Sequence, residues 1–255
     1  MCTTCGCGEG AEITISNPNN QKRQSFKPIG VHQHGSNPDA QTIKLEQDIL
    51  QANNNMAEEN RKYFQEKNIF ALNLVSSPGS GKTSLLERSI LNLRDKMDIY
   101  VIEGDQQTSN DADRINATKA PVVQINTGQG CHLDSKMIKN ALQHLSPKDD
   151  SLVFIENVGN LVCPAMFDLG EEIRVVIIST TEGDDKPLKY PDMFYSAQLC
   201  IINKTDLLPY VDFDMDAVKS NALKVNRHLE FIEVSARSGE GMQLWYNYLL
   251  RRMAK

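Results

Sequence analysis

The chain has 255 residues, of which 40% are hydrophobic and 24% charged. This composition is typical of a globular protein that buries a core without disulfide support. The formal net charge of −6 argues against a broad electrostatic surface for nucleic acid or an anionic membrane. No run of about 18 apolar residues is present to span a bilayer. We therefore expect no nucleic-acid or membrane partner.

The first ten residues contain three of the six cysteines, Cys2, Cys5 and Cys7. They lack the basic and apolar regions of a secretory signal, so we expect a cytoplasmic protein, in which clustered thiols are metal ligands rather than disulfides. The intervening glycines let three sulfurs surround one ion. This donor set suits Ni²⁺ or Zn²⁺, and the spacing does not separate the two. The alternative is a disordered, oxidation-prone tip.

Residues 11–38 are rich in Asn, Gln, Pro and Ser, which predicts a flexible linker after the cysteine motif of residues 1–10. His32 and His34 in this linker could assist metal binding, although solvated side chains explain them more simply. Apolar residues at helical spacing then predict a helical lead-in over residues 39–68. The three asparagines inside it could interrupt the helix.

Over residues 69–255, seven short apolar runs alternate with helix-length segments. This order predicts one α/β domain with a mostly parallel sheet of about seven strands flanked by helices. In such folds the ligand lies beyond the carboxyl ends of the strands. The candidate motifs all fall at these predicted ends.

The segment SSPGSGKTSLL follows the first of these strands. It matches the core of a phosphate-binding loop, although Ser76 stands where the pattern has its first glycine. Lys82 is expected to reach the β- and γ-phosphates, and Thr83 to bind Mg²⁺ through its hydroxyl. The predicted fold is therefore that of a P-loop NTPase. The residues expected to contact the phosphates are Gly79, Ser80, Gly81, Lys82, Thr83 and Ser84.

Acidic residues end two other predicted strands. Glu156 and Asp105, with Glu103 beside it, are candidates for holding Mg²⁺ or positioning water. Gly159 is placed to offer a backbone N–H group to a γ-phosphate. The alternative is that these carboxylates are solvated strand ends. The predicted catalytic residues are Lys82, Thr83, Asp105 and Glu156.

The segment NKTD begins at Asn203, about 120 residues after the phosphate loop. The Asp206 carboxylate can accept from the N1–H and 2-amino groups of guanine, which adenine lacks. Asn203 can contact the opposite edge of the base, and the Lys204 stem can cover its face. We therefore predict hydrolysis of GTP to GDP. The loop expected to close the base site contains Ser235, Ala236 and Arg237.

Two further cysteines follow predicted strands. Cys131 and His132 adjoin each other, and Cys163 lies four residues after Gly159. We expect these strand ends to be neighbours, so that the three side chains could bind a borderline metal near the nucleotide or across a two-fold axis. A chance grouping is an equal alternative. Cys200 is predicted to be an ordinary core residue.

Taken together, these motifs resemble the HypB family, GTPase accessory proteins for nickel insertion into [NiFe] hydrogenases. The resemblance covers almost the whole chain. It depends on the N-terminal C-x-x-C-x-C, SSPGSGKTSLL, IEGDQQTSNDADRI, TGQGCHLD, IENVGNLVCPA and NKTDLLPYV. A serine at position 76 fits this family.

The resemblance implies a nickel metallochaperone that forms a GTP-dependent homodimer. It implies a tight nickel site at Cys2, Cys5 and Cys7, and a weaker nickel or zinc site at the other Cys–His–Cys group. The implied partners are a HypA-type zinc accessory protein and the hydrogenase large subunit. We expect slow turnover without a partner and coupling from the γ-phosphate through Gly159 to Cys163. The rival hypothesis is a regulatory GTPase with incidental cysteines.

Overall fold

The computed structural model describes residues 13–17, 20–26, 40–106, 110–128 and 130–254. The strands are β1 (Ile13–Asn17), β2 (Asn20–Phe26), β3 (Phe70–Ser76), β4 (Ile99–Asp105), β5 (Val122–Asn126), β6 (Leu152–Glu156), β7 (Ile173–Ser179), β8 (Leu199–Asn203) and β9 (Glu230–Glu233). The helices are α1 (Ala40–Glu66), α2 (Lys82–Leu93), α3 (Asn110–Ala117), α4 (Ser135–Leu145), α5 (Cys163–Met166), α6 (Lys186–Lys189), α7 (Pro191–Ser196), α8 (Met215–Val225) and α9 (Met242–Met253), with a 3₁₀ helix at Thr205–Tyr210. None of the described helices has the length and apolar character needed to cross a membrane.

Within the described residues, nine strands form one sheet in the order β2-β1-β5-β4-β6-β3-β7-β8-β9. The seven strands β3 to β9 pair in parallel throughout, and they are the seven predicted from the sequence. The prediction of a mostly parallel α/β sheet is therefore confirmed. All seven carboxyl ends meet at one edge of the sheet, where a ligand of such a fold binds.

The flexible linker predicted over residues 11–38 is wrong for two stretches. β1 and β2 form an antiparallel hairpin, and β1 also pairs antiparallel with β5, where Ile15 lies opposite Ile125. Ile13 and Ile15 are each 2% exposed and pack in the same cluster as Ile125. Isoleucines that alternate with polar residues form one buried strand face, a short pattern that a polar average composition conceals.

Helix α1 runs unbroken over 27 residues, so the asparagine run at 53–55 does not interrupt it. Asn53 is fully buried. Its Oδ1 atom accepts from the Ser135 N–H group at 2.9 Å, and its Nδ2 atom donates to the Asp168 carbonyl at 2.8 Å. These contacts join α1 to the start of α4 and to the loop before β7, so the asparagine does not end the helix.

The core lies on both faces of the sheet. In β3, Leu72 and Leu74 pack toward α2 and α9, whereas Ala71 packs in the cluster that contains α4. Trp245 of α9 is fully buried, and its Nε1 atom donates to the Ser89 hydroxyl of α2 at 2.9 Å. Cys200 is a fully buried core residue, as predicted. Burial raises the pKa of its thiol above the usual range.

Candidate functional site

The predicted phosphate loop lies between β3 and α2. Gly79 and Gly81 have φ angles of +76° and +92°, a region in which residues with a Cβ atom are strained. A Cβ atom on Gly81 would lie 2.5 Å from the Nδ2 atom of Asn203. The loop leads directly into the N-terminus of α2, where unpaired backbone N–H groups and the helix dipole favour an anion.

Lys82 and Thr83 begin α2, and both contact the carboxylate at the end of β6. The Lys82 Nζ atom lies 3.0 Å and the Thr83 Oγ1 atom 2.6 Å from the same oxygen, Glu156 Oε1. Glu156 is only 1% exposed. A buried carboxylate needs a paired charge or hydrogen bonds, and these two contacts supply both to the Oε1 atom of Glu156. The structure thus brings together three residues whose catalytic roles stay predictions.

A second carboxylate, Glu103, lies opposite Glu156 where β4 pairs with β6. Burial, followed by the charge of Glu156, raises the pKa of Glu103 to about 9, so this carboxyl is protonated at neutral pH. Among the described residues, the Oε2 atoms of both glutamates are buried without a hydrogen-bond partner. Oxygen donors beside the Thr83 hydroxyl fit Mg²⁺. Glu103 thereby joins the candidate ligands Thr83, Asp105 and Glu156.

A cleft of about 400 Å³ lies over the phosphate loop. The predicted residues that line it are Gly79, Ser80, Gly81, Lys82, Thr83, Ser84, Asp105 and Gly159. A Cβ atom on Gly159 would lie 3.3 Å from the backbone N and Cα atoms of Pro78, so the loop after β6 packs closely on the phosphate loop. The cleft is open enough, and polar enough at its lining, for a charged ligand.

Asn203 and Lys204, at the end of β8, contact the phosphate loop directly. The Asn203 Nδ2 atom donates to the Ser80 carbonyl at 2.9 Å, and the Lys204 Nζ atom donates to the Gly79 carbonyl at 2.7 Å. The Asn203 Oδ1 atom accepts from the Ala236 N–H group at 3.0 Å. The predicted base motif, the base loop and the phosphate loop therefore form one hydrogen-bonded unit.

The loop after β9 lies against the predicted base-reading aspartate. The Ser235 hydroxyl donates to Asp206 Oδ1 at 2.6 Å, which fixes the direction of that carboxylate. Arg88, on α2, donates from Nη1 to the carbonyl groups of Ala236 and Arg237, both at 2.7 Å. The helix that begins at the phosphate loop thus also holds the base loop.

Cys131, His132 and Cys163 meet, with one candidate ligand atom from each lying within 4.8 Å of the others. The two sulfurs are 2.7 Å apart, and the Cys131 sulfur is 3.7 Å from His132 Nδ1. Burial lowers the pKa of His132 to about 4, so the ring is neutral at pH 7 and able to bind a metal. The His132 ring stacks on Phe167 with centroids 3.9 Å apart. Two thiols and an imidazole are donors suited to zinc or nickel.

The sequence predicted that the strands leading to these ligands are neighbours. This prediction is wrong, because β4 lies between β5 and β6. The loop after β5 reaches across β4 through close packing of Leu133 on Gly104, where a Cβ atom would lie 2.8 Å from the leucine side chain. The Asn160 Nδ2 atom then donates to the Cys131 carbonyl at 3.4 Å. A glycine in the intervening strand is what allows the two loops to meet.

Several predicted residues lie outside the described part of the chain. These are the candidate nickel ligands Cys2, Cys5 and Cys7, together with His32 and His34. Their roles stay predictions.

Three side chains at the site were missed by sequence reasoning: Arg88, Arg114 and Phe167. Arg114 lines the cleft, donates to the Ser84 hydroxyl at 3.0 Å and pairs with Glu87. Single arginines on helices carry no pattern that separates them from solvated ones, and Phe167 is recognisable only from its contact with His132.

Comparison with known proteins places the chain. A family model described as CobW/HypB/UreG, nucleotide-binding domain, matches residues 70–233. The hydrogenase maturation factor HypB of Rhizobium leguminosarum bv. viciae is 58% identical over 220 residues, which cover 86% of this chain and 73% of that protein. HypB of Escherichia coli (strain K12) is 46% identical, over 98% of both chains.

Two solved structures agree with these relatives. HypB from Archaeoglobus fulgidus is 39% identical with a TM-score of 0.74, over 79% of this chain and 98% of that one. HypB from Helicobacter pylori in complex with nickel is 37% identical with a TM-score of 0.74, over 80% of this chain and 95% of that one. The chain therefore belongs to the CobW/HypB/UreG family and, within it, to the HypB hydrogenase maturation factors.

Proposed function

We propose that this protein hydrolyses GTP and uses its nucleotide state to control the transfer of nickel during [NiFe]-hydrogenase maturation. The observation that carries the proposal is the position of the Cys131–His132–Cys163 group. Its loops leave β5 and β6, and Glu156 at the end of β6 contacts both Lys82 and Thr83. A soft-donor metal site and a phosphate site thus share one strand end.

In the proposed reaction, Lys82 and the N-terminus of α2 neutralise the phosphates, and Asp206 selects guanine. Mg²⁺, when bound by Thr83 with Asp105 or Glu156, would polarise the β- and γ-phosphates. Gln106 lines the cleft, but its Nε2 atom donates to the Gly130 carbonyl at 3.2 Å, and Arg114 is paired with Glu87. Sites without a free arginine or a water-positioning glutamine are slow on their own, so we expect slow turnover.

The partners follow from the same proposal. We infer a GTP-dependent homodimer that works in the cytoplasm with a HypA-type zinc accessory protein and the hydrogenase large subunit. Cys2, Cys5 and Cys7 would form a tight nickel site, and the Cys131–His132–Cys163 group a second site for nickel or zinc. The nickel complex of the Helicobacter pylori relative and the names of the relatives support this assignment.

The deciding experiment is a nickel titration of the full chain with no nucleotide, with Mg²⁺–GDP and with a Mg²⁺–GTP analogue. Because the proposed site at Cys2, Cys5 and Cys7 is the tighter one, it should fill first, and the thiolate-to-nickel absorption band that grows after it is filled should depend on the nucleotide. Replacing Cys131 and Cys163 with Ser should remove this dependence, whereas Cys200→Ser, at a buried cysteine outside the site, should keep it. The same affinity in all three nucleotide states would contradict the proposal.

A second measurement tests the nucleotide half of the proposal. Lys82→Ala removes the cation expected to contact the phosphates, so GTP hydrolysis should become undetectable. Lys96→Ala, at an exposed lysine beyond α2, serves as the control and should hydrolyse GTP like the parent. Unchanged hydrolysis by the Lys82 variant would exclude this site.

A further inference from the structure

A chain of four buried polar side chains runs beneath the two loops that carry Cys131, His132 and Cys163. We refer to it as the polar chain, and each of its members is at most 9% exposed. Its members, in order, are Asn157, Asn73, Glu171 and Arg174.

The first end of the polar chain holds the Cys131–His132 loop. Asn157, fully buried, accepts on Oδ1 from the N–H group of Leu133 at 3.2 Å. Leu133 directly follows His132, so this hydrogen bond fixes the backbone beside the imidazole. The Asn157 Nδ2 atom donates to Asn73 Oδ1 at 3.2 Å, which carries the contact into the middle of β3.

The other end of the polar chain holds the Cys163 loop. Glu171 Oε1 accepts from Asn73 Nδ2 at 3.0 Å and from Arg174 Nη2 at 3.0 Å. Arg174 then donates from Nη1 to the Ala165 carbonyl at 3.0 Å and from Nη2 to the Phe167 carbonyl at 2.8 Å. These carbonyls lie two and four residues after Cys163, and Phe167 is the ring that stacks on His132.

Burying such a network costs free energy. Replacing a buried ion pair with hydrophobic residues often leaves a protein equally stable or more stable. What the network does supply is direction, because each member donates or accepts at a fixed angle and no member is free to turn. Its two ends contact backbone atoms near the candidate metal ligands, and Arg174 Nη1 also donates to the Ser196 hydroxyl at 2.9 Å. This placement is that of an outer shell around a metal site.

We propose that Asn157 and Arg174 are positioning residues that set the spacing of Cys131, His132 and Cys163, and that the polar chain makes this spacing depend on the nucleotide. The proposal rests on the proposed function. The sequence predicted coupling through Gly159 to Cys163 alone. The polar chain instead offers a buried connection to the Cys131–His132 loop and to the Cys163 loop.

The connection to the nucleotide begins at Glu156, which precedes Asn157. Its Oε1 atom accepts from both Lys82 and Thr83, the side chains expected to contact the phosphates and Mg²⁺. A bound nucleotide competes for these two groups and releases Glu156 from them. Because Asn157 is the next residue, a change in the backbone at Glu156 reaches Leu133 directly and Ala165 through Asn73, Glu171 and Arg174.

The test uses the full chain with Cys2, Cys5 and Cys7 replaced by Ala, so that nickel reports only on the second site. Asn73→Leu breaks the middle of the polar chain without touching either loop, and Asn73→Ser is used where the leucine variant does not fold. Arg174→Lys keeps the charge beside Glu171 but cannot reach both carbonyls. Arg94→Lys is the control, since Arg94 donates to the Thr118 carbonyl at 3.1 Å, away from the polar chain and from both loops.

Nickel affinity is measured with no nucleotide, with Mg²⁺–GDP and with a Mg²⁺–GTP analogue, and folding is checked by thermal unfolding. Arg174→Lys should weaken nickel binding about tenfold or more, as loss of outer-shell contacts does. Asn73→Leu should preserve nickel binding without nucleotide but reduce the difference between the nucleotide states, expected in the parent to be about fivefold or more, because only the direct contact of Asn157 with Leu133 remains. Arg94→Lys should behave as the parent.

Thiol alkylation without metal gives a readout independent of nickel. Its rate at Cys163 should depend on nucleotide in the parent and in Arg94→Lys but not in Asn73→Leu, whereas the rate at Cys131 should stay dependent in Asn73→Leu through Asn157 and Leu133. A parent-like nucleotide dependence of the Cys163 rate in folded Asn73→Leu, or equal weakening of nickel binding by Arg94→Lys and Arg174→Lys, would overturn the polar chain while leaving the proposed function intact. A parent that shows no nucleotide dependence in either readout would overturn both.

Discussion

Glu103 shows, for a single residue, how burial changes the ionisation of a carboxyl group. Its carboxyl lies between the buried end of β6 and the acidic end of β4, and burial with the nearby charge of Glu156 raises its pKa from 4.5 to about 9. The folded protein therefore keeps a proton that the unfolded chain releases. The oxygen atoms of this carboxyl can bind a cation such as Mg²⁺ only when the proton has been released.

This proton predicts a pH dependence of stability in buffer without Mg²⁺ and nucleotide. Because the folded-state pKa is above the unfolded-state value, the free energy of unfolding falls as the pH rises from about 4.5 to about 9, by at most about 1.4 kcal/mol per pH unit from this group. Glu103→Gln stays neutral and should remove that slope. Urea unfolding at about pH 6 and about pH 8.5 measures the difference.

The exposed glutamate of α1 at position 66 offers a matched control. Glu66→Gln should keep the parent's pH dependence, because its side chain is solvated. If Glu103→Gln also kept that dependence, the carboxyl of Glu103 would be ionised in the folded protein, and its role as a buried acid would be excluded.

The residues that sequence motifs could predict are those whose chemistry needs a fixed order along the chain. Lys82, Thr83 and Asn203 follow that rule, and the structure brings them to one loop. Arg88 and Asn157 do not, since each acts on backbone atoms of a distant segment, where any donor or acceptor at the right point in space would serve. Such contacts form only when the sheet brings distant segments together, so no local sequence pattern predicts them.

At the scale of an element, α1 carries a prediction inside its own asparagine run. Asn53 joins the helix to Ser135 and Asp168, whereas Asn54 is exposed. Asn53→Ala leaves a buried N–H group and a buried carbonyl without partners, which should lower the free energy of unfolding by about 1–3 kcal/mol. Asn54→Ala should be neutral or raise it by up to about 0.7 kcal/mol, because alanine favours a helix.

Chemical denaturation of the two variants beside the parent checks this pair. Equal effects of the two substitutions would mean that the loop contacts of Asn53 add nothing to stability. Helix propensity alone assigns both asparagines the same weak preference, which explains why the sequence suggested a break. The burial of one asparagine, and not the asparagine type, decides the continuity of α1.

The β1–β2 hairpin is the element that composition misjudged. Ile15 is 2% exposed and lies opposite Ile125, so Ile15→Ala should lower the free energy of unfolding by about 2–5 kcal/mol. Thr14→Ala, at a half-buried neighbour on the same strand, should have a much smaller effect. Urea unfolding of both variants compares them, and an equally small loss in both would show that Ile15 contributes little to the core.

At the scale of the whole molecule, one edge of the parallel sheet carries the candidate groups that lie in the described part of the chain. The alternation of strands and helices predicts that edge, because parallel strands end together. It does not predict the lateral order, in which β4 separates β5 from β6. That order matters, because a side chain at position 104 would occupy the space of Leu133. The glycine there leaves room for the loop after β5 to cross β4 and to bring Cys131 close to Cys163.

Because both ligands bind to one protein, any effect of one ligand on the affinity for the other must be reciprocal. If a nucleotide changes nickel affinity by some factor, nickel has to change the affinity for that nucleotide by the same factor, expected to be about 5- to 150-fold for coupled sites. Titration of a fluorescent guanine nucleotide with and without saturating nickel measures this factor. The protein for this experiment carries alanine at Cys2, Cys5 and Cys7.

The control removes only the metal site. His132→Ala deletes one ligand of the Cys131–His132–Cys163 group and leaves the cleft residues in place, so nickel should no longer change nucleotide affinity. If nickel changed it equally in that variant, the ion would be acting in the phosphate cleft in place of Mg²⁺. If the two factors measured in the parent differed, one titration would be reporting a third site, since two ligands of one protein cannot be coupled unequally.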